Sequence, residues 1–477
     1  MLTPEEFSRI YQQGQEVTYA FVCDLYNRVQ AVDERVHQLE VNASKNSQNS
    51  SKPPSTDAFR KPLPNLRRKT GKKPGGQQGH PGSTLTLRQE CDATIVHSPS
   101  DCSCCGASLR DAATVRAEEA QIHDLPPLAL LVTRHLREHK VCPQCRRAEA
   151  GAFPEGVRPG ASYGPRLKAL AVYLQHAQLL PSDRAAQLLA EVFGARVSEG
   201  SLQSFLSRAA DRLAPVEEEI RSRLRAAPVL HCDETGMRVR SKLHWVHVAS
   251  TERLTFYACH PKRGREAIRA MDILPQYTGT AIHDCWASYL RACASHGLCC
   301  VHLCRELKGL HEASPQRWIK RLLSFLFGLK RRRDRAKAAG RAGFSASSLA
   351  LYKRVYARLL SEGQSHHPAA SPSGKRGRPK QSVACNLLRR LSDYSEWVLH
   401  FASDFTVPFD NNQAERDLRM VKLRQKISGC FRSEEGAAVF CRLRGLISTL
   451  RKQGQPLLAA LVQVFQGTQP LTTLLAE

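Results

Sequence analysis

The chain has 477 residues, 42% of them hydrophobic, enough for real cores in about three domains. Lys and Arg total 70 against 44 Asp and Glu, a formal charge of +26; such an excess, clustered beside motifs, points to a polyanion, of which nucleic acid is the commonest. The opening MLTPEEFSRI is no signal peptide, no run of about 18 apolar residues offers a membrane span, and 17 cysteines, mostly scattered singly, imply reduced thiols in a cytosolic chain.

Val22, Leu25, Val29, Val32, Val36 and Leu39 follow 3-4 spacing. The stripe suits either a short coiled coil or an amphipathic helix packed on its own domain. From Asn42 to Asp57 no apolar face exists, which reads as a linker. Arg67, Arg68, Lys69, Lys72 and Lys73 then precede GGQQGHPG. Glycines that admit close backbone approach, beside cations, suit phosphate; a solvated flexible linker has the same composition.

Cys102 and Cys105 form one CxxC, and Cys142 and Cys145 a second. Four thiolates in a tetrahedron make a structural zinc site with no position left open for water. Cys104 is a substitute ligand by position, and four unrelated reduced cysteines are the alternative. Two strand-like runs in the intervening IHDLPPLALLVTRHLREHKV are expected to bring the pairs together. Residues 165–215 read as three helices, with Pro181, Ser182 and Asp183 opening the second, Gly194 stopping it and Ser198 capping the third. That arrangement resembles a helix-turn-helix, as do many helical connectors.

PVLHCDET, LHWVHVAS, LTFYACH and GTAIHDCW are strand-like runs rich in β-branched and aromatic residues. Residues 305–400 turn helical and basic, and 410–465 are helical again, which together predict an α/β domain. On a strand Asp233 and Glu234 point opposite ways, Asp233 sharing a face with His231 and Val229. Asp284 ends another strand. Asp410 is expected to cap a helix with Gln413 reciprocating, which sets Glu415 in its first turns, Arg419 and Lys422 on the same face, and Asp417 well around it. Acids from separate elements can hold two hard cations about 4 Å apart, the arrangement that in-line displacement at phosphorus uses. Three acids among 44 mean little by spacing alone, so their contexts carry the case.

Those contexts resemble the insertion-sequence-66 family of transposases nearly end to end: the NSQNSSKPPSTD linker, GGQQGHPG, both CxxC pairs, HCDETG, the CVHLCREL stretch, GKRGRPKQS and, most specifically, DNNQAERDLRM. Cys300 and Cys304 depart from the expected pattern. The resemblance implies the DDE class on a ribonuclease H-like core, with Asp233, Asp284 and Glu415 as catalytic acids holding Mg2+ or Mn2+, and Cys102, Cys105, Cys142 and Cys145 in a zinc-binding region. It implies a multidomain α/β chain: a short coiled coil at 1–43, a basic Gly/Pro-rich linker at 44–88, a zinc module at 89–155, and a helix-turn-helix-like unit at 160–220. A catalytic domain at 226–454 with a helical insertion at about 305–400, and a tail at 455–477, complete it. Expected partners are double-stranded DNA at the element's ends and target, further copies of the chain, and accessory proteins of the same element, in the bacterial cytoplasm at the nucleoid. DNA contacts are expected from Arg67, Arg68, Lys72, Lys73, Arg376, Arg378, Arg419 and Lys422. Arg376 and Arg378 sit in KRGRPK, which resembles an AT-hook core able to enter a narrow minor groove; a basic loop making loose phosphate contacts is the alternative. A decayed or co-opted copy that binds DNA without cutting it is the competing function.

Overall fold

The computed structural model describes residues 3–45, 49–50, 85–154, 156–369, 379, 381–467 and 469–476. Arg67, Arg68, Lys72, Lys73, Arg376 and Arg378 lie outside the described residues. The chain divides into two compact units, one of Met1–Phe59, His135–Ala190 and Arg196–Glu477, the other of Arg60–Arg134 and Glu191–Ala195. Among the described residues no helix is long and apolar enough to cross a membrane.

Helices α1 (Pro4–Gln12) and α2 (Gln15–Ser44) come first. The six heptad residues of α2 are all exposed, from 46% at Val36 to 62% at Val32, so none of the described residues buries the stripe. Strands β1 (His139–Val141) and β2 (Ala148–Ala150) form a hairpin around Cys142 and Cys145. Of the expected strand-like stretch only its end, His139–Val141, forms a strand: residues 121–138 carry no regular secondary structure, and Leu125, Leu131, Val132 and Leu136 are exposed. Apolar content alone makes no strand where no partner face takes the side chains.

Next come α3 (Pro165–Val172), continued by a π-helical turn over Tyr173–Ala177, then α4 (Ser182–Phe193), α5 (Glu199–Arg212) and α6 (Ala214–Ala226). Gly194 stops α4 at φ 67°, and Ser198 caps α5 by accepting from the Ser201 N–H.

Strands β3 (Val229–Val239), β4 (Lys242–Ser250), β5 (Thr255–His260), β6 (Thr280–His283) and β7 (Ser295–Leu298) form one sheet in the order β5-β4-β3-β6-β7. The first three run antiparallel, and β6 and β7 are parallel to β3. Helix α7 (Arg265–Met271) lies between β5 and β6. After β7 come α8 (Cys300–Ala313), α9 (Arg317–Ala338), α10 (Ala346–His366), α11 (Val383–Asp393) and the short α12 (Ser395–Val398) and α13 (His400–Ser403). Three long helices close the chain: α14 (Asn412–Ser428), α15 (Glu434–Lys452) and α16 (Leu457–Gln466).

Side-chain alternation divides β3 between two cores. Leu230 and Cys232 of β3, with Ala281 of β6, face a core shared with α5, α6, α15 and α16. Met237 and Val239, on the other face, meet Ala414, Leu418 and Val421 of α14. A third core, of α8–α11 with Ile282 of β6 and Leu298 of β7, surrounds Trp318 and Tyr356. Cys300 and Cys304 belong to it as small buried hydrophobes, and Cys300 Sγ donates to the Val398 carbonyl at 3.3 Å.

Candidate functional site

β3 and β6 run in parallel register, with Leu230 against Ala281 and His231 against Ile282. Asp233 lies two residues further along β3, and Asp284 follows His283, the last residue of β6. Asp233 shares the odd-numbered face of β3 with Met237 and Val239, the face that α14 covers. The chain leaves the sheet at Asp284: Asp284 Oδ1 accepts from the Trp286 N–H at 3.0 Å, and Cys285 takes a left-handed φ of 69°.

Glu415 arrives from the first turn of α14, 131 positions downstream of Asp284. Its Oε1 lies 3.7 Å from His302 Nε2 and 3.9 Å from Arg305 Nη1, both on α8, and that oxygen is buried without a hydrogen-bond partner among the described residues. Burial and then the charges of Glu234, Asp284 and Glu415 push the Asp233 carboxyl well above the usual carboxylate range. Asp284 and Glu415 thus both lie close enough to act on Asp233. Clustered acids suit a hard cation, which takes carboxylate oxygens and offsets their repulsion.

Glu234 points the other way and is committed. Arg263 donates two hydrogen bonds to its Oε1, at 2.9 and 2.6 Å, and Tyr289 Oη donates to Oε2 at 2.6 Å. The same guanidinium stacks on Trp245 and Trp286, at 4.7 and 4.3 Å from the ring centroids. Glu234 is thus a buried brace behind the acids.

The cap of α14 differs from the expected capping box. The helix begins at Asn412, Asp410 Oδ1 accepts from the Asn412 N–H at 3.1 Å, and Gln413 Nε2 donates to Asp417 Oδ2 instead of reaching back. The reason is Asn411, which is drawn into the interior. Its side-chain nitrogen donates to the Cys232 carbonyl at 2.8 Å, and its oxygen meets His231 Nδ1 at 2.9 Å. With the amide nitrogen committed to Cys232, Oδ1 must accept, so His231 carries its proton on Nδ1. Burial lowers the His231 pKa, the Asn411 bond opposing, which favours a neutral ring. Asp417 is buried and paired with Lys452 at 2.8 Å, fastening α14 to α15.

Arg419 is exposed. Lys422 is half-buried, and its Nζ donates to the Gly236 carbonyl at 3.1 Å. Sequence alone assigns no role to Asn411 or to the α8 residues His302 and Arg305; they lie within DNNQAERDLRM and CVHLCREL, and their side-chain roles need the elements packed beside them.

Each CxxC forms its own knuckle. In the first, the Gly106 N–H donates to the Cys102 carbonyl at 2.9 Å and the Cys102 N–H to the Ala107 carbonyl at 2.8 Å. In the second, the Arg146 and Cys142 N–H groups make the matching bonds to the Cys142 and Arg147 carbonyls, both at 2.9 Å. Gly106 and Arg146 close the turns at φ 74° and 62°. Backbone N–H groups of Cys105 and Cys104 lower the Cys102 thiol's pKa, and those of Cys145 and Gln144 lower that of Cys142. Amides converging on sulfur favour thiolate, the form that binds metal.

Comparison with known families places these features. The Transposase IS66 family matches residues 160–439, and the zinc-finger binding domain of transposase IS66 matches residues 99–146. A family of unknown function matches residues 8–86. The chain is 23% identical over 406 residues to the uncharacterized protein y4jD of Sinorhizobium fredii, covering 79% of this chain and 76% of that one. It is 26% identical over 175 residues to y4hP of the same organism, covering 36% and 30%. With more than half its length matched by one family, and the adjoining zinc-finger segment matched by that family's own domain, the chain belongs to the IS66 transposase family.

Proposed function

We propose that the chain is the DDE transposase of a bacterial insertion sequence, cutting DNA at the element's ends and joining the freed end to target DNA. The observation that carries the reading is the convergence of Asp233 on β3, Asp284 just past the end of the adjacent parallel β6, and the helix of Glu415 that covers this face, the Glu415 Oε1 having no hydrogen-bond partner among the described residues. The sheet order, three antiparallel strands followed by two parallel ones, supports a ribonuclease H-like core interrupted by helices between β7 and α14.

Asp233, Asp284 and Glu415 would hold two Mg2+ or Mn2+ ions, which when bound activate the attacking oxygen and stabilise the leaving oxygen at phosphorus. The protein's own contribution is positional. The adjacent parallel strands β3 and β6 deliver Asp233 and Asp284 to the same region, Asn411 fastens α14 beside Asp233, and Arg263 holds Glu234 so that this fourth acid does not compete as a ligand. Cys102, Cys105, Cys142 and Cys145 would hold one structural zinc ion in a module that reads the element's ends. The exposed stripe of α2 supports association of copies through a short coiled coil, and the domain limits given above follow the same scheme. The excess of cations supplies phosphate contacts, with Arg419 beside the acids. Accessory proteins of the element and a nucleoid location in the bacterial cytoplasm belong to the same reading.

The test is cleavage and strand transfer of a labelled element end by purified protein with Mg2+. Asp233→Ala, Asp284→Ala and Glu415→Gln should each abolish both steps while DNA binding persists. Wild-type protein that binds the end and never cuts it, with Mg2+ or Mn2+, would reject the catalytic reading in favour of a DNA-binding derivative.

A further inference from the structure

Beside Glu415 lies a second group of metal-binding atoms that phosphoryl chemistry does not call for. Cys299, His302 and Glu415 each offer one ligand atom, and these atoms all lie within 4.8 Å of one another. Cys299 is the N-cap of α8 and His302 sits three residues later, so both face the same side at the helix start. Cys299 is buried, and its sulfur accepts from the Asn411 N–H at 3.3 Å, the residue that fastens the helix of Glu415. His302 Nδ1 and Glu415 Oε1 are both buried without a hydrogen-bond partner among the described residues, and His302 Nε2 is 3.7 Å from that oxygen. Arg305 Nη1, at 3.9 Å from Glu415 Oε1, is the nearest cation on the same helix.

The donor set is one sulfur, one imidazole nitrogen and one carboxylate oxygen. Magnesium takes oxygen and avoids sulfur, whereas zinc binds all three, commonly with three protein ligands and a water. Bond lengths of about 2.0 to 2.3 Å put tetrahedral zinc ligands roughly 3.3 to 3.7 Å apart, so closure needs shifts of about 1 Å. A coordinating thiol loses its proton to the metal's field, and the bound set of thiolate, carboxylate and Zn2+ is then neutral, which suits a buried place.

We propose that Cys299, His302 and Glu415 form an inhibitory site for a soft divalent cation, Zn2+ foremost, which withdraws Glu415 from the catalytic pair. The binding site stands on the geometry alone; the inhibition rests on reading Glu415 as a ligand of the catalytic ions. Cys299→Ser and His302→Gln separate the two. Full-length wild-type protein equilibrated with excess Zn2+ and freed of unbound metal should retain one zinc ion more per chain than either variant by elemental analysis. In Mg2+-driven cleavage, the Zn2+ concentration that halves each protein's own Mg2+-only rate should rise at least about tenfold in Cys299→Ser. Equal zinc content in all three proteins, or inhibition unmoved by both substitutions, would overturn the proposal. Wild-type protein that never cleaves in Mg2+ yet retains the Cys299-dependent zinc would support the site while overturning the catalytic reading.

Discussion

The side-chain amide of Asn411 donates to the main-chain carbonyl of Cys232 at 2.8 Å, so the helix of Glu415 is tied to β3 one residue before Asp233. The tie positions one acid against another without touching either. Asn411→Ala strands the Cys232 carbonyl and the His231 N–H in the interior, each costing about 1–3 kcal/mol. Cleavage should fall about 10- to 100-fold while affinity for the element end holds. A lowered melting temperature with wild-type cleavage at a permissive temperature would make the amide purely structural.

The proposed zinc ligands predict one tightly held ion per chain. Cys102→Ser and Cys142→Ser should each lose it if all four thiolates are needed to hold it. End binding should weaken, while the chemical step at saturating DNA stays near wild type. Full zinc content in either variant would remove that cysteine from the ligand set.

Arg419 and Lys422 share a helix face, yet their surroundings differ. Arg419 is exposed, so Arg419→Ala should weaken DNA binding and shallow its salt slope by about one. Lys422 is held on the Gly236 carbonyl, so Lys422→Ala should lower the melting temperature more than it changes the salt slope. Titrations at several salt concentrations, paired with thermal melts, distinguish the two; equal slope changes would place both on the DNA.

His176 lies in the π-helical turn, buried beside Phe440, and burial together with the charges of Arg424 and Arg444 holds its pKa at about 3. The unfolded chain takes up this proton as pH falls through about 6.5, whereas the folded chain does not until about 3. Stability should therefore fall on acidification across that window, by up to about 1.4 kcal/mol per pH unit from this ring. His176→Phe should flatten the slope measured by denaturant melts between those limits. An unchanged slope would mean that other groups dominate acid unfolding.

Much of the sheet was legible in the sequence. The runs around HCDET, LHWVHVAS, LTFYACH and TAIH carry β-branched and aromatic residues, and they form β3 to β6. The fifth strand, Ser295–Leu298, has no such signal. It packs through Gly297, where an added Cβ would fall 2.5 Å from Ile282 Cδ1 and 3.1 Å from Val407 Cγ1. Close approach of this kind is invisible in propensity. The run 121–138 misled in the opposite sense, being largely apolar yet forming no strand. At the candidate site the acids could be singled out by their neighbours in sequence. The Asn411–Cys232 tie and the Cys299–His302–Glu415 group could not, because they join elements more than a hundred residues apart.

The distance in sequence between Asp284 and Glu415 has a consequence during synthesis. At about 5–20 residues per second, roughly 7 to 26 seconds separate their emergence from the ribosome. In that interval β3 and β6 can already stand with Asp233 beside Asp284, while the third carboxylate does not yet exist. On the proposed function a nascent chain thus passes through a period in which the zinc-finger segment is complete and the cutting centre is not, and a truncated product ending in the α8–α13 helices is expected to compete with the full-length protein for DNA.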